Sequence, residues 1–310
     1  MSEHALVIGE ALVDVVVRVD GSTDAHPGGS PANVAIGLGR LGRTVELLAY
    51  LADDDNGAIV QEHLAASQVT LAAGTLGAPK TSVATARLDA TGAATYEFVL
   101  EWAIADSAAP LPSPIVVHTG SIAAVLSPGA ADVRRIIASI RDTATVTYDP
   151  NARPSLMGDP AEARVAIEEM VALADVVKVS DEDLEWLSGS SDVDGVARSW
   201  LELGPAFVVV TRGGEGATAF LPGDRRVDIA APTVEVADTV GAGDSFMGGL
   251  IDGLWSAGVL GGANREGLRA TSDETLAGIL ERCARIAAIT VSRPGANPPG
   301  SAELDLVPEP

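Results

Sequence analysis

Short apolar runs recur along the chain, most of them closed by a turn residue or followed by a helical repeat. ALVIG (5–9), VELLAYL (45–51), IVVHTG (115–120), ATVTYDP (144–150), DVVKVS (175–180) and AFVVVT (206–211) read as buried β-strands. Between them, NGAIVQEHLAAS (56–67), GAADVRRIIASIRD (129–142) and PAEARVAIEEMVALA (160–174) carry amphipathic or Ala-rich helical patterns. This alternation predicts an α/β fold, a doubly wound, Rossmann-like, mostly parallel sheet with helices on both faces. Two stretches break the rhythm. LVDVVVRVDG (12–21) follows the first strand at once, and TSVATARLDATGAATYEFVLE (81–101) reads as two strands around a turn at Asp89–Gly92. They form either a small β-sheet flap or an irregular edge of the main sheet. No repeat, low-complexity tract or linker separates independent units. Residues 1–310 are therefore expected to make one domain, with a lid drawn from about 12–21 and 81–103.

Composition sharpens this picture. Hydrophobic residues make up 47% of the 310 and charged ones 20%, which excludes a disordered or coiled-coil chain. Aromatics are only 4%, so the core must be Ala, Val, Leu and Ile, the usual filling of helix-covered parallel sheets. Twenty basic residues stand against 43 acidic ones, a net charge of −23. Such a surface repels phosphate backbones and anionic bilayers, so neither nucleic acid nor membrane is expected as a partner. An anionic substrate would need a site with its own positive field. The single cysteine, Cys283, cannot form an internal disulfide and lies in an Ala-rich helical stretch, where it reads as core. No run approaches the ~18 apolar residues of a membrane span. The opening MSEHALVIGEALVDVVV lacks a basic start and carries Glu10 and Asp14 in its apolar part. It reads as a first strand and not as a signal peptide, and a cytoplasmic protein is expected.

Three glycine clusters invite chemistry. Gly37-Leu38-Gly39-Arg40-Leu41-Gly42 matches the dinucleotide fingerprint G-x-G-x-x-G. The preceding PANVAI already reads as helix, however, with Ser30 as a possible N-cap and Pro31 at the first helical position. The glycines then fall inside or at the end of that helix, and a nicotinamide site is not expected. No P-loop motif occurs, and Lys80 and Lys178 are the only lysines.

Asp238-Thr239-Val240-Gly241-Ala242-Gly243-Asp244 follows the strand-like TVEVA (233–237) and precedes the helical SFMGGLIDGLW. Small residues at 241–243 let backbone N–H groups converge on an anion at a helix N-terminus. Asp244 at the mouth of that hole can accept a proton from an attacking hydroxyl. The same residues also describe a tight strand–helix turn in which Asp244 merely caps the helix. In Pro27-Gly28-Gly29-Ser30-Pro31-Ala32-Asn33 the paired glycines permit an unusual turn, and Asn33 offers a donor and an acceptor to a polyhydroxyl ligand. Asp14 can accept two sugar hydroxyl bonds; Glu10 reads as a solvent-facing carboxylate.

Together these segments resemble the ribokinase-like carbohydrate kinases of the phosphofructokinase-B type. PGGSPANVAIGLGRLG (27–42) is similar to the family's N-terminal signature and DTVGAGDSFMGGL (238–250) to its C-terminal one. DPNAR (149–153), KVSDEDL (178–184), TRGGEGA (211–217) and SRPGANPP (292–299) follow in the family's order, and GEALVD looks most like the fructokinase branch. The resemblance implies ATP as phosphoryl donor, Mg²⁺, a β-sheet lid and a homodimer formed through it. It implies Asp244 as the base, with Gly241, Ala242 and Gly243 as the anion hole. Asp14, Gly29, Asn33 and Arg153 would take the sugar, and Thr211, Gly213, Gly216 and Asn297 the nucleotide. One departure stands out. The family's N-x-x-E motif is here Ser180-Asp181-Glu182-Asp183, so Asp183 keeps an oxygen for Mg²⁺ while Ser180 loses the amide. Asp238, Val240 and Gly295 match positions that bind K⁺ in many members. Fructose is the first substrate implied, with 2-keto-3-deoxygluconate and ribose as alternatives. Scarce aromatics argue against a nucleoside. A non-catalytic sugar-binding regulator on the same scaffold is the reading from a different class, and the intact Asp244 weighs against it.

Overall fold

The computed structural model describes residues 3–89, 94–104 and 113–304. In chain order the first strands are β1 (Ala5–Ile8), β2 (Leu12–Val17), β3 (Thr23–Gly28), β4 (Val45–Leu48), β5 (Val69–Leu71), β6 (Val83–Leu88) and β7 (Ala94–Val99). They continue with β8 (Val116–Gly120), β9 (Thr145–Asp149), β10 (Val176–Ser180), β11 (Phe207–Thr211), β12 (Ala217–Phe220) and β13 (Arg226–Ile229). The helices begin with α1 (Ser30–Arg40), α2 (Asp55–Ala66), α3 (Gly129–Ile140), α4 (Pro154–Met157), α5 (Pro160–Val171) and α6 (Asp181–Ser188). They end with α7 (Val193–Leu201), α8 (Ala242–Ser256), α9 (Arg265–Arg269), α10 (Asp273–Val291) and α11 (Ser301–Leu304).

Nine strands form the main sheet in the order β13-β12-β11-β10-β9-β8-β1-β4-β5, antiparallel only in the β11–β12–β13 meander. All six apolar runs became strands because both faces of this sheet are covered. Phe207 and Val209 of β11 face a cluster with α1, α2, α8 and α10, while Val208 and Val210 face one with α3, α5, α6 and α7. Chain order reverses between β1 and β8, which places a crevice at their carboxyl ends, where open α/β sheets bind ligands. Among the described residues no helix is long and apolar enough to cross a membrane.

The two stretches that broke the rhythm build a second sheet, β3-β2-β6-β7, with β2 parallel to β6 and antiparallel to β3. Beyond Asp89, the turn expected at Asp89–Gly92 lies outside the described residues. Strand β3 was hidden in the sequence because TDAHPG lacks apolar alternation. It is an edge strand, the one place where Pro27 costs no ladder bond. Trp102 and Ile104, at the end of the second stretch, leave this sheet and bury in the main core.

One expected strand is absent. Residues 233–237 are irregular and largely exposed, with Val236 at 57%. The main sheet ends at β13, so no neighbour pairs with this segment. Its closing amides, Ala237 and Asp238, donate instead to the Val291 carbonyl at the end of α10. Its apolar alternation mimics a half-buried strand without the burial.

Helix α8 is held to the molecule by a buried carboxylate. Asp252 accepts from Arg43 Nε at 2.7 Å and from Arg282 Nη2 at 2.9 Å, joining α8 to the end of α1 and to α10. The arginine side chains keep 23% and 31% exposure, so truncation leaves partly hydrated cations. Asp252→Ala is expected to lower unfolding free energy by about 2–3 kcal/mol, read from the urea midpoint at constant m-value.

Candidate active site

Helix α8 starts at the crevice through Gly241. Its φ of +76° is left-handed, and a Cβ there would sit 2.6 Å from the Ala296 side chain, so glycine is required. The turn leaves the main-chain N–H groups of Gly241 and Gly243 without an acceptor among the described residues. The Ala242 N–H makes only a long 3.3 Å bond to the Thr239 carbonyl. Two free amides and one weakly held amide thus stand together at a helix N-terminus, where such groups can meet an anion.

Asp244 lies in the first turn of α8, 5% exposed, with its carboxylate toward a cavity. Oδ1 accepts from Ser30 Oγ at 2.7 Å and from Asn151 Nδ2 at 2.9 Å, and Oδ2 accepts from Asn33 Nδ2 at 2.8 Å. Ser30 was expected to cap α1. It is instead the first helical residue, with Gly29 as N-cap at φ +107°, and its hydroxyl serves Asp244. Gly29 has no alternative: a Cβ would lie 2.4 Å from the Glu10 carbonyl.

Two cavities meet at this point. The smaller, about 340 Å³, is lined by Glu10, Asp14, Gly29, Asn33, Arg153 and residues 239–244, with Leu12, Ala84 and Phe98 of the second sheet above. The larger, about 760 Å³, takes Thr211, Gly213, Gly216, Lys178 and Asp183 along one side and Val234, Val236, Ala284 and Ala288 along another. Asn151, Arg153, Thr239, Ala242 and Gly243 line both. Arg153 braces this junction, with Nη1 donating to Asn151 Oδ1 at 2.6 Å and to the Ala152 carbonyl at 2.9 Å.

Asn297 is not part of this arrangement. It is exposed, lines neither cavity, and accepts from Arg40 Nη1 at 2.6 Å. Asp238 does join Val240 and Gly295: its Oδ1 accepts from the Val240 N–H at 3.0 Å and its Oδ2 from the Gly295 N–H at 2.8 Å. Ser180 Oγ caps α6 by accepting from the Asp183 N–H. Asp183 Oδ1 takes the Ala152 N–H at 3.2 Å, and burial raises that carboxyl above the usual range. Among the described residues no three His, Cys, Asp or Glu side chains cluster tightly enough to hold a metal ion unaided.

Three contributors escaped sequence reasoning. Lys178 is 3% exposed and bonds Asp149 Oδ2 at 2.7 Å; its Nζ lies 2.8 Å from where a Gly243 Cβ would stand, directly behind the anion hole. Burial pushes the Asp149 carboxyl upward against the pull of that ammonium. The apolar DVVKVS concealed a cation that alternation alone assigns to the core. Asn151 was visible only as part of DPNAR. Glu10 is the reverse of the solvent-facing residue expected: it is 6% exposed at the floor of the smaller cavity. Burial raises its carboxyl to about 7, moderated by Ser121 and Arg153 and reinforced by Asp244. Asp14, on β2, is likewise raised, first by loss of hydration on the cavity side, although its side chain remains exposed where it lines the cavity.

Unpaired main-chain amides between a small cavity and a larger one, at the switch point of a doubly wound sheet, are a layout suited to a phosphotransferase. Residues 2–303 match the model of the pfkB family carbohydrate kinases, and the protein belongs to that family, whose members transfer phosphoryl groups to an alcohol acceptor. A fructokinase of Klebsiella pneumoniae is 35% identical over 267 residues, covering 84% of this chain and 87% of that one. The crystal structure of Vibrio cholerae O395 fructokinase, in fructose, ADP and calcium ion bound form, superposes with a TM-score of 0.78 at 26% identity and 98% coverage of both chains. That of Xylella fastidiosa fructokinase with bound ATP gives 0.83 at 22% identity, covering 99% of this chain and 98% of that one, and bears on the fold alone.

The raised Glu10 carboxyl carries a stability signature. A carboxyl whose folded value lies above its unfolded one binds more protons when folded, so its ionisation destabilises the fold as pH climbs from about 4.5 through about 7. Glu10→Gln removes that cost. The variant is expected to gain on the wild type by up to about 3 kcal/mol near pH 8.5, the gain vanishing toward pH 4.5, in urea unfolding across pH.

Proposed function

We propose that this chain transfers the γ-phosphoryl group of ATP to a hydroxyl of a small uncharged sugar, fructose first, with Asp244 as general base. The observation that carries this reading is the place of Asp244: beside two free amides, where the smaller cavity opens into the larger. Ser30, Asn33 and Asn151 orient its carboxylate, and Oδ2 keeps a lone pair for the sugar hydroxyl. The sugar occupies the smaller cavity, held by Asp14, Gly29, Asn33 and Arg153. The nucleotide occupies the larger, with Thr211, Gly213 and Gly216 along its phosphates and the apolar wall at Val234 and Val236 against its base. Asp244 takes the hydroxyl proton, while the amides of 241–243 and the Lys178 ammonium meet the charge growing on the transferring group.

Mg²⁺ fits this site in the manner its chemistry allows, since it needs one or two carboxylates and otherwise binds phosphate oxygens and water. Asp183, with Oδ2 uncommitted, would hold it, and when bound it neutralises phosphate charge. The Asp238–Val240–Gly295 contact supports a K⁺ site on main-chain carbonyls next to the hole. Fructose is favoured by the fructokinase relatives and by cavity charge. A sugar acid would place its carboxylate among Glu10, Asp14 and Asp244, with Arg153 the single cation among the described lining residues. The second sheet serves as a lid on the one domain, and its open β3 and β7 edges suit pairing with a second copy.

Asp244→Asn is expected to cut kcat by about 10²–10⁴-fold with only modest change in calorimetric sugar affinity; a coupled ADP-release assay over a sugar panel reads it, and near-normal turnover would refute the base. Deleting residues 84–97 should raise ATP hydrolysis relative to sugar phosphorylation, and an unchanged ratio would count against a lid.

A further inference from the structure

Glu10 has no task in the transfer just described, yet its position is the least comfortable in the cavity. It follows β1 by two residues, at the floor of the crevice, and its Oε2 is buried without a hydrogen-bond partner among the described residues. A shielded carboxyl oxygen left unpaired is costly to the fold, and at the edge of a cavity a bound ligand can supply the missing bond. The cavity that Glu10 lines is the one assigned to the sugar.

Charged groups face it from three directions. Arg153, from the segment after β9, favours its ionised form; Asp244 on α8 opposes it; Asp14 on β2 lines the same cavity. Ser121, following β8, brings a neutral hydroxyl that moderates the effect of burial. Burial outweighs all of these and leaves the carboxyl near 7, neutral on the acid side. A neutral carboxyl has an O–H to donate and a carbonyl oxygen to accept, as an amide does, and so suits a hydroxyl that must do both.

We infer that Glu10 is a sugar-contacting residue, its protonated carboxyl pairing with a hydroxyl or ring oxygen of the acceptor. The inference rests on the sugar occupying the smaller cavity. Ionisation of Glu10 removes the donor and adds a negative charge beside Asp244 and Asp14, so sugar affinity falls on the alkaline side.

Calorimetric titration of the full chain with fructose, in the presence of a non-hydrolysable ATP analogue, tests this. The wild-type Kd is expected to rise about tenfold between about pH 6 and about pH 8.5. Glu10→Gln, neutral throughout, should hold Kd within about twofold over that range, and Glu10→Ala should raise it about tenfold at pH 6. Three results would overturn the inference: a flat wild-type profile, a Gln variant keeping the wild-type slope, or an Ala variant with unchanged affinity at pH 6. Affinity for the analogue checks that each variant is folded; if Glu10→Ala loses it, the Gln slope decides. Because binding is read directly, the two proposals separate. Missing turnover with an intact pH-dependent Kd would sink phosphotransfer alone, and normal turnover with a flat Kd would sink only Glu10.

Discussion

The region between the cavities is organised by one carboxylate and its three donors. Asp244 draws Ser30 and Asn33 from α1 and Asn151 from the loop after β9 onto the first turn of α8. Hydrogen bonds to a charged group contribute about 1.5–3 kcal/mol each, well above the neutral average. They also set geometry. With Gly241 turning the chain into α8 and Gly29 turning it into α1, the carboxylate has one orientation available, and the amides beside it face outward because nothing inside reaches them.

Most of the frame was legible in the sequence, for a definite reason. DVVKVS and AFVVVT lie under helices on both faces, so their runs are continuous and short, and bounded by turn residues. Legibility failed where local pattern and long-range partner disagree. Ser30 before Pro31 has the look of a cap, yet its hydroxyl answers a residue 214 positions away. TVEVA alternates like a strand but has no strand to pair with. Glu10 resembles a polar interruption at a strand end, and only the fold shows that it is nearly buried at the edge of a cavity. Asn297 sits in a motif whose neighbours reach the site, while its own side chain is committed to Arg40. Sequence carries residue types and periods; it does not carry which distant group arrives to satisfy a donor.

A chain of net charge −23 must handle an anion, and it does so without a basic surface. The positive field is internal and largely made of main-chain dipoles, backed by Lys178, whose charge is itself balanced by Asp149. The acidic exterior repels polyanions at long range, whereas the field of these amides and of Lys178 acts at short range inside the crevice.

The separation in sequence between Asp244 and its donors bears on how the molecule comes into being. During synthesis from the N-terminus, β1, α1 and the second sheet exist long before residue 244 leaves the ribosome. Until α8 arrives, α1 has an uncovered apolar side and Asn33 lacks its acceptor. A nascent or prematurely ended chain therefore holds most of the lining of the smaller cavity but neither Asp244 nor the amides beside it. The carboxylate that organises the junction of the cavities arrives only with the last quarter of the polypeptide.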